Sequence, residues 1–245
     1  MNIIILMGGS NKRIGEEKAF IKIGGKTILE IMLEKLNQIR KKGDRIILAT
    51  KSHNRISSIM EEKKLSFQHG PVDVVGDLIS GTGPLGGIHS GLAASSTRYN
   101  FVFACDMPFL NVNLIQYMLR KKTDYDVLIP KYGDCLEPLH GVYSKSIIPV
   151  IKEKIEQGSY RIQSIFPLTS ILSPKGRGNK NGISNRVKVK YITEKEMEQF
   201  GNWRDFFFNI NTLSELKKAR KIFKQNFRER GKSSSANGPR DAHFR

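Results

Sequence analysis

The sequence predicts an α/β fold in which helices cover a mostly parallel sheet. Short apolar runs typical of buried strands alternate along the chain with longer segments that have helical periodicity. The first of these runs, at 3–6, leads directly into a glycine-rich loop. With 245 residues and 39% hydrophobic content, the chain is long and apolar enough to bury one sizeable core. We therefore expect a single domain over residues 1–230.

The predicted elements follow one another in the order that this alternation requires. After the first strand, Thr27 and Glu30 have the spacing of a capping box and open a helix that should end near Gly43. Thr212 and Glu215 repeat the pattern at the start of a helix that runs towards residue 227. The other strands are expected at 45–50, 72–75, 101–105, 127–130 and 138–143, and the other helices at 54–64, from residue 84 and at 113–122.

Residues 3–18 contain the most informative motif of the chain. Gly8 and Gly9 have no Cβ, so the backbone can turn sharply and its N–H groups can approach an anion. Arg13 adds a rigid fork of donors and Lys18 a mobile point charge, which are complementary ways of holding a polyphosphate. The spacing matches neither the Walker loop nor the dinucleotide-binding loop. The motif therefore predicts a nucleotide site of another type.

This loop resembles the signature loop of nucleotidyltransferases, and in particular that of the molybdenum cofactor guanylyltransferase family. The resemblance extends over about residues 2–220 and through further segments in the same order, Gly83-Pro84-Leu85-Gly86-Gly87, Cys105-Asp106-Met107-Pro108, Glu137-Pro138-Leu139 and Phe208-Asn209-Ile210-Asn211-Thr212. It implies a three-layer α/β/α Rossmann-like nucleotidyltransferase fold with a mostly parallel sheet. It also implies a GTP-dependent enzyme that transfers GMP to molybdenum-molybdopterin, forming molybdopterin guanine dinucleotide and pyrophosphate.

Asp106 is the first candidate for the site, because it directly follows the predicted strand at 101–105. In open α/β sheets, ligands bind at the carboxyl ends of the strands. A single carboxylate there suits Mg²⁺, which takes its other ligands from water and substrate phosphates. On the residues alone, Asp106 could instead cap the turn before Pro108. The resemblance assigns it to Mg²⁺ and to nucleotide binding.

The resemblance also implies which residues bind the nucleotide. These are Leu6, Met7, Gly8 and Gly9 at the end of the first strand, together with Lys18, Asp77 and Asp106. Gly9 favours guanine, since Gly-Gly stands here where cytosine-using relatives tend to have Ala-Gly. Asp77 also precedes the glycine-rich turn at 83–87 and, on the residues alone, could be a turn former.

Four polar residues are expected to act catalytically on the phosphates. By resemblance, Arg13 and Lys18 neutralise the triphosphate and the leaving pyrophosphate, and Asn209 and Asn211 complete the phosphate side. The two asparagines flank one apolar residue, so at strand spacing their side chains point the same way. Taken alone, Asn211 could also cap the following helix.

Most of the net charge of +18 lies in two segments. Residues 217–245 carry a net +8 and residues 173–190 a net +6, which leaves +4 for the rest of the chain. Residues 231–245 have the composition of a disordered basic tail. The composition of the insertion at 173–190 is typical either of a solvated surface loop or of a mobile cationic flap over phosphates. No module that reads bases is present, so we expect no nucleic-acid partner.

Two alternatives to the guanylyltransferase function stay open on the sequence. One is a sugar- or polyol-phosphate nucleotidyltransferase, which would share the fold and the opening loop. The other is a non-catalytic nucleic-acid-binding protein, suggested by the charge. Partners beyond GTP and molybdopterin could include molybdoenzyme-maturation proteins.

The cysteines and the apolar runs indicate in which compartment the protein is located. Cys105 and Cys135 are too few for a disulfide framework and have no metal-binding spacing. No apolar run is long enough for a membrane span, and the N-terminus lacks the basic region and the cleavage site of a secretory signal. We therefore expect a cytoplasmic protein without a membrane partner. His140 is expected to be a packed, hydrogen-bonded residue rather than a catalytic one.

Overall fold

The computed structural model of the chain describes residues 1–7, 17–62, 64, 71–121, 124–167 and 187–235. Its strands are Asn2–Leu6 (β1), Lys22–Ile23 (β2), Lys26–Thr27 (β3), Ile46–Thr50 (β4), Val72–Gly76 (β5), Tyr99–Ala104 (β6), Val127–Tyr132 (β7), Cys135–Leu136 (β8), His140–Ser144 (β9) and Val189–Ile192 (β10). Its α-helices are Ile28–Asn37 (α1), His53–Glu62 (α2), Gly83–Ala94 (α3), Val112–Arg120 (α4), Ile148–Glu156 (α5), Glu194–Glu198 (α6), Trp203–Phe206 (α7) and Leu213–Ser235 (α8). Single 3₁₀ turns occupy Lys18–Phe20, Lys145–Ile147 and Ile162–Ile165.

The central sheet has the strand order β10-β7-β9-β6-β1-β4-β5, and β8 pairs with β7 outside this path. Strands β5, β4, β1 and β6 are parallel neighbours. Strand β9 runs antiparallel to both β6 and β7, and β10 is parallel to β7. The mostly parallel sheet is therefore confirmed, and the carboxyl ends of β5, β4, β1 and β6 meet at one edge.

Both faces of the sheet are covered by helices, as the apolar run at 3–6 predicts. Ile3 and Ile5 of β1 face a core formed with α1, α4 and α8, whereas Ile4 and Leu6 face a second core formed with α3 and α5. A Cβ at Gly91 would lie 2.5 Å from Ile4 Cγ2, so the glycine lets α3 approach β1 closely. The three-layer α/β/α architecture is confirmed.

The helix caps follow the predicted pattern, with differences in where the helices end. Thr27 and Glu30 form a complete capping box at α1. The helix ends at Asn37 rather than near Gly43, because residues 41–44 form a turn in which the Asp44 carboxylate accepts the Lys41 N–H at 2.9 Å and Gly43 has a φ of +91°. Helix α6 begins with a further capping box, formed by Thr193 and Glu196, that was not among the predicted elements.

The two basic segments lie only partly within the described residues. Residues 189–190, predicted as loop, belong instead to β10, because Val189 pairs with Val127 of β7. Helix α8 continues to Ser235, beyond the predicted end near residue 227. The remainder of the insertion, residues 173–186, and the end of the tail, residues 236–245, lie outside the described residues. The boundary of the domain at residue 230 stays a prediction.

Among the described helices, none combines the length and the apolar character of a membrane span.

His140 is a buried residue of β9 with an apolar environment. Its ring stands edge-on to the rings of Phe101, Phe103 and Phe207, with centroid distances of 5.4, 5.1 and 5.1 Å. Neither ring nitrogen has a hydrogen-bond partner among the described residues. Burial lowers the pKa of His140 from 6.5 to about 3, so the folded protein holds the ring neutral at physiological pH. The predicted packing of His140 is confirmed, whereas the predicted hydrogen bond is absent among the described residues, because aromatic rings surround the imidazole.

This histidine should make the protein sensitive to acid. Above pH 6.5 the ring is neutral in the folded and in the unfolded chain, and it contributes no pH dependence. Below that value only the unfolded chain binds the proton, so the free energy of unfolding falls by about 1.4 kcal/mol per pH unit until the folded-state pKa is reached. Relative to the wild type, His140→Phe should flatten urea-unfolding stability between pH 6.5 and 4 by about this slope.

The exposed histidine His53 supplies the control, since His53→Gln removes a histidine that does not pack into the core. Parallel stability curves for the wild type and His140→Phe over the same pH range would contradict a buried, neutral ring.

Candidate active site

A cavity of about 580 Å³ opens at the edge where the parallel strands end. One half is lined by the ends of β1 and β4 and by the start of α3, including Leu6, Asp77 and Gly87. The other half is lined by the turn between β8 and β9 and by the 3₁₀ turn that begins at Ile162. Asp106, Asn209 and Asn211 also line the cavity. A cavity of this size suits a small-molecule substrate.

Three of the predicted site residues meet in one cluster. Lys18 Nζ donates a hydrogen bond of 2.8 Å to Asp106 Oδ2 and another to Asn211 Oδ1. The side chains of Lys18 and Asp106 are only 13% and 14% exposed. They come from the turn after the glycine loop and from the end of β6, while Asn211 precedes α8. The ammonium group is therefore fixed at the cavity before any substrate binds.

The segment with the two asparagines is tied to the same strand end. Ile210 is fully buried, and its N–H donates to the Asp106 carbonyl at 3.1 Å. The neighbouring side chains of Asn209 and Asn211 both line the cavity, as the strand spacing predicts. The helix-cap role considered for Asn211 belongs instead to Thr212, whose hydroxyl accepts the Glu215 N–H at 3.2 Å.

Asn209 has an unsatisfied oxygen at this position. Its Oδ1 is buried and has no hydrogen-bond partner among the described residues. A buried polar atom without a partner is costly, so it is a candidate ligand atom for a donor or a cation. Asn209 and Asp106 both line the cavity, and amide and carboxylate oxygens are the donor types that Mg²⁺ prefers. The described residues include no group of three His, Cys, Asp or Glu side chains that could hold a metal by themselves.

Asp77 lies at the other end of the cavity, just after β5. Its N–H donates to the Thr50 carbonyl at 2.9 Å, which continues the pairing of β5 with β4. Burial raises the pKa of Asp77, and the charge of Lys51 acts in the opposite direction. A Cβ at Gly87 would lie 3.2 Å from Leu6 Cδ2 and 3.9 Å from Asp77 Oδ1, so the glycine keeps the space between these side chains open.

The start of α3 is shaped by its glycines and by a hydroxyl. Ser90 accepts the Leu78 N–H at 2.8 Å and donates to the Gly86 carbonyl at 3.0 Å, which fixes the loop after Asp77 to the helix. A Cβ at Gly86 would lie 1.9 Å from Thr82 Oγ1, so only glycine fits there. Gly83, Pro84 and Gly87 of this helix start line the cavity, and the free N–H groups of a helix start suit phosphate or polar base edges.

The other predicted nucleotide residues are placed in different ways. Leu6 lines the cavity, whereas the side chain of Met7 packs into the core on the opposite face of the sheet. Gly8, Gly9 and Arg13 lie outside the described residues, so their roles stay predictions.

Cys105 stands next to Asp106 and would be the obvious candidate for a nucleophile. The thiol is buried, and desolvation together with the charge of Asp106 raises its pKa to about 12. A thiol of that pKa is protonated at physiological pH, and only the thiolate is nucleophilic. The site therefore offers no cysteine nucleophile for covalent catalysis.

Several residues that line the cavity were not predicted from the sequence to have a role. Glu137, Pro138 and Leu139 carried part of the family resemblance, and the structure places all three on the wall opposite Asp77. Ile162 and Gln163 complete this wall, but nothing in their sequence context signals a site.

The chain matches known proteins over most of its length. Residues 3–168 match the family model of the MobA-like NTP transferase domain. The chain is 33% identical over 217 residues to a probable molybdenum cofactor guanylyltransferase of Pelotomaculum thermopropionicum, with 89% of this chain and 90% of the relative covered. It is 32% identical over 221 residues to a probable molybdenum cofactor guanylyltransferase of Peptoclostridium acidaminophilum, with 87% and 86% covered.

Solved structures give the same picture of the fold. The crystal structure of molybdopterin-guanine dinucleotide biosynthesis protein A from Archaeoglobus fulgidus superposes with a TM-score of 0.68 at 27% identity, covering 92% of this chain and 100% of that chain. A 4-diphosphocytidyl-2C-methyl-D-erythritol synthase from Anaerococcus prevotii reaches a TM-score of 0.57 at 15% identity, covering 91% and 95% of the two chains, and shares the fold alone.

Proposed function

Because this chain belongs to the MobA-like NTP transferase family, we propose that it transfers GMP from GTP to molybdenum-molybdopterin. The products are molybdopterin guanine dinucleotide and pyrophosphate. The observation that carries the proposal is the Lys18–Asp106–Asn211 cluster, which lies between the two halves of one cavity. The relatives that match this chain over most of its length are named as guanylyltransferases.

The reaction needs no nucleophile from the protein. The terminal phosphate oxygen of molybdopterin attacks the α-phosphorus of GTP, and the bond from this phosphorus to the bridging oxygen of the β-phosphate breaks. The electron pair leaves with pyrophosphate. The protein contributes by positioning the reactants and by stabilising the charge that develops on the phosphates. The protonated state of Cys105 agrees with this direct displacement.

Lys18 is the residue that neutralises charge at the reacting phosphates. Its ammonium group is held by Asp106 and Asn211, so little reorganisation is needed when the substrate arrives. The two acceptors leave further donor capacity on Nζ for phosphate oxygens. Arg13, from the glycine loop, is proposed to add a second cation on the same side.

Asp106 and Asn209 are the residues that would hold Mg²⁺. Asp106 supplies a carboxylate at the strand end, and the buried Oδ1 of Asn209 supplies an oxygen that otherwise has no partner among the described residues. When bound, the ion would supply positive charge that offsets the charge of the phosphates.

Asp77 and the start of α3 form the nucleotide half of the site. The carboxylate accepts hydrogen bonds from the guanosine, and the helix N–H groups offer donors to it. The predicted cytoplasmic location and contacts with molybdoenzyme-maturation proteins belong to the same proposal and stay predictions.

A nucleotide and acceptor panel tests the function. Pyrophosphate release should be fastest when GTP is combined with molybdopterin, and slow with CTP, ATP, a sugar 1-phosphate or a polyol phosphate. Turnover of a sugar or polyol phosphate at a higher rate than molybdopterin would favour the alternative transferase. Tight, salt-resistant binding of nucleic acid without any nucleotide turnover would favour the non-catalytic alternative.

A further inference from the structure

Glu137 lines the half of the cavity opposite the proposed nucleotide half, and we propose that its carboxylate selects the acceptor by binding the pterin ring. A pterin presents an exocyclic 2-amino group beside a ring N–H, and a carboxylate can accept both in parallel. The inference rests on the proposed function and adds to it a residue that determines acceptor specificity.

The sheet order places the two carboxylates at opposite ends of one cavity. Asp77 follows β5, and Glu137 precedes β9, with β4, β1 and β6 between those strands. Four strand spacings separate β5 from β9, which is about 19 Å along the sheet edge. The Lys18–Asp106–Asn211 cluster lies at the end of β6, one strand spacing from β9 and three from β5. A dinucleotide has a ring system at each end and phosphates between them, and the order of these groups along the sheet edge matches it.

The Glu137 carboxylate is held in place rather than free to move. The Glu137 N–H donates to the Pro130 carbonyl at 3.0 Å, and the Tyr132 hydroxyl donates to Oε1 at 2.6 Å. The Tyr132 ring is itself fixed, because it packs against Trp203 and Phe207 with centroid distances of 4.7 and 6.1 Å. The hydroxyl uses one acceptor position, so most of the acceptor capacity of the carboxylate is left for a ligand.

The charge of Glu137 has no cation beside it in the described part of the chain. No lysine or arginine there forms an ion pair with this carboxylate, unlike Asp106, which has Lys18. Burial raises the pKa of Glu137, and the hydrogen bond from Tyr132 opposes this rise. A partly desolvated carboxylate without a cation is costly unless donors reach it. The two N–H groups of a pterin edge are such donors.

The surroundings of Glu137 suit a flat heterocycle better than a sugar. Pro138, Leu139 and Ile162 provide apolar surface on the same wall. The Pro138 carbonyl accepts the Tyr143 hydroxyl at 2.6 Å, so this part of the wall is held by the core of the sheet. A sugar phosphate would bring several hydroxyl groups against apolar side chains, whereas a pterin ring would cover them.

Glu137→Gln tests the proposal, because it keeps the size of the side chain and removes the charge. It should raise the KM for molybdopterin by about tenfold or more, the usual loss for a hydrogen bond to a charged group, while the KM for GTP changes little. Tyr132→Phe is the matched variant, since it removes the hydrogen bond to Glu137 and keeps the ring. It should have a smaller effect on the KM for molybdopterin. Equal effects of the two variants on KM and on Tm would reduce Glu137 to a structural partner of Tyr132.

A binding experiment separates this inference from the proposed function. The wild type should bind free pterin more tightly than lumazine, which has an oxo group in place of the 2-amino group, and Glu137→Gln should lose this preference in fluorescence titrations without GTP. Equal binding of both compounds by the wild type, or none, would overturn the role of Glu137 even if GMP transfer is observed. Loss of the preference in the variant would support that role even if GTP is not turned over.

Discussion

Asp106→Asn is expected to abolish GMP transfer while leaving the fold intact. The substitution preserves the size of the side chain but removes the charge that holds Lys18 and would hold Mg²⁺. The variant should lose several kcal/mol of transition-state stabilisation, which corresponds to a decrease in kcat on the order of 10³-fold or more. The measurement is turnover as a function of Mg²⁺ concentration, combined with Tm to verify folding.

Asp134 offers a matched control for this variant. It is exposed in the turn between β7 and β8 and does not line the cavity. Asp134→Asn should therefore keep the activity and the Mg²⁺ dependence of the wild type. Near-normal turnover by a folded Asp106→Asn protein would show that this carboxylate does not hold the metal.

Lys18→Met is expected to give the second-largest effect, with the loss falling on kcat. The Nζ atom of Lys18 is fixed by Asp106 and Asn211 where we propose that the phosphates react, and such preorganised charge acts mainly on the transition state. By analogy with the loss of one oxyanion-hole donor, kcat should fall about 10²–10³-fold. Initial rates over a range of GTP concentrations separate kcat from KM.

The exposed Lys26, which pairs with Glu34 at the surface, supplies the control for removal of a lysine charge. Lys26→Met should leave kcat and KM close to the wild-type values. A Lys18→Met protein with a raised KM for GTP and an unchanged kcat would make Lys18 a uniform binder of substrate rather than a catalytic group.

The core of the site could be predicted from the sequence because its signals are local. Asp106 follows directly on an apolar strand, and the strand end is the binding edge in this class of sheet. Asn209 and Asn211 flank a buried isoleucine, so their common direction follows from the period of an extended chain. The capping box of Thr27 and Glu30 is likewise contained in four residues.

Other features depend on contacts between distant parts of the chain. A local pattern indicates that a strand exists but not which strands flank it, so the antiparallel insertion of β9 between β6 and β7 could not be read from the residues. That insertion places Glu137 at the cavity and His140 among three phenylalanines. The hydrogen bond between Lys18 and Asn211 joins positions 193 residues apart, and only the family resemblance connected them beforehand.

The fate of the phosphates of GTP is the most direct test of the central claim, which is transfer of GMP to molybdopterin. GTP labelled at the α-phosphate and GTP labelled at the γ-phosphate are each incubated with the enzyme, Mg²⁺ and molybdopterin, and the products are separated. We expect the α-label in molybdopterin guanine dinucleotide and the γ-label in pyrophosphate, in equal amounts. Release of the γ-label as free phosphate, or of the α-label as GDP or free GMP without the dinucleotide, would contradict that claim.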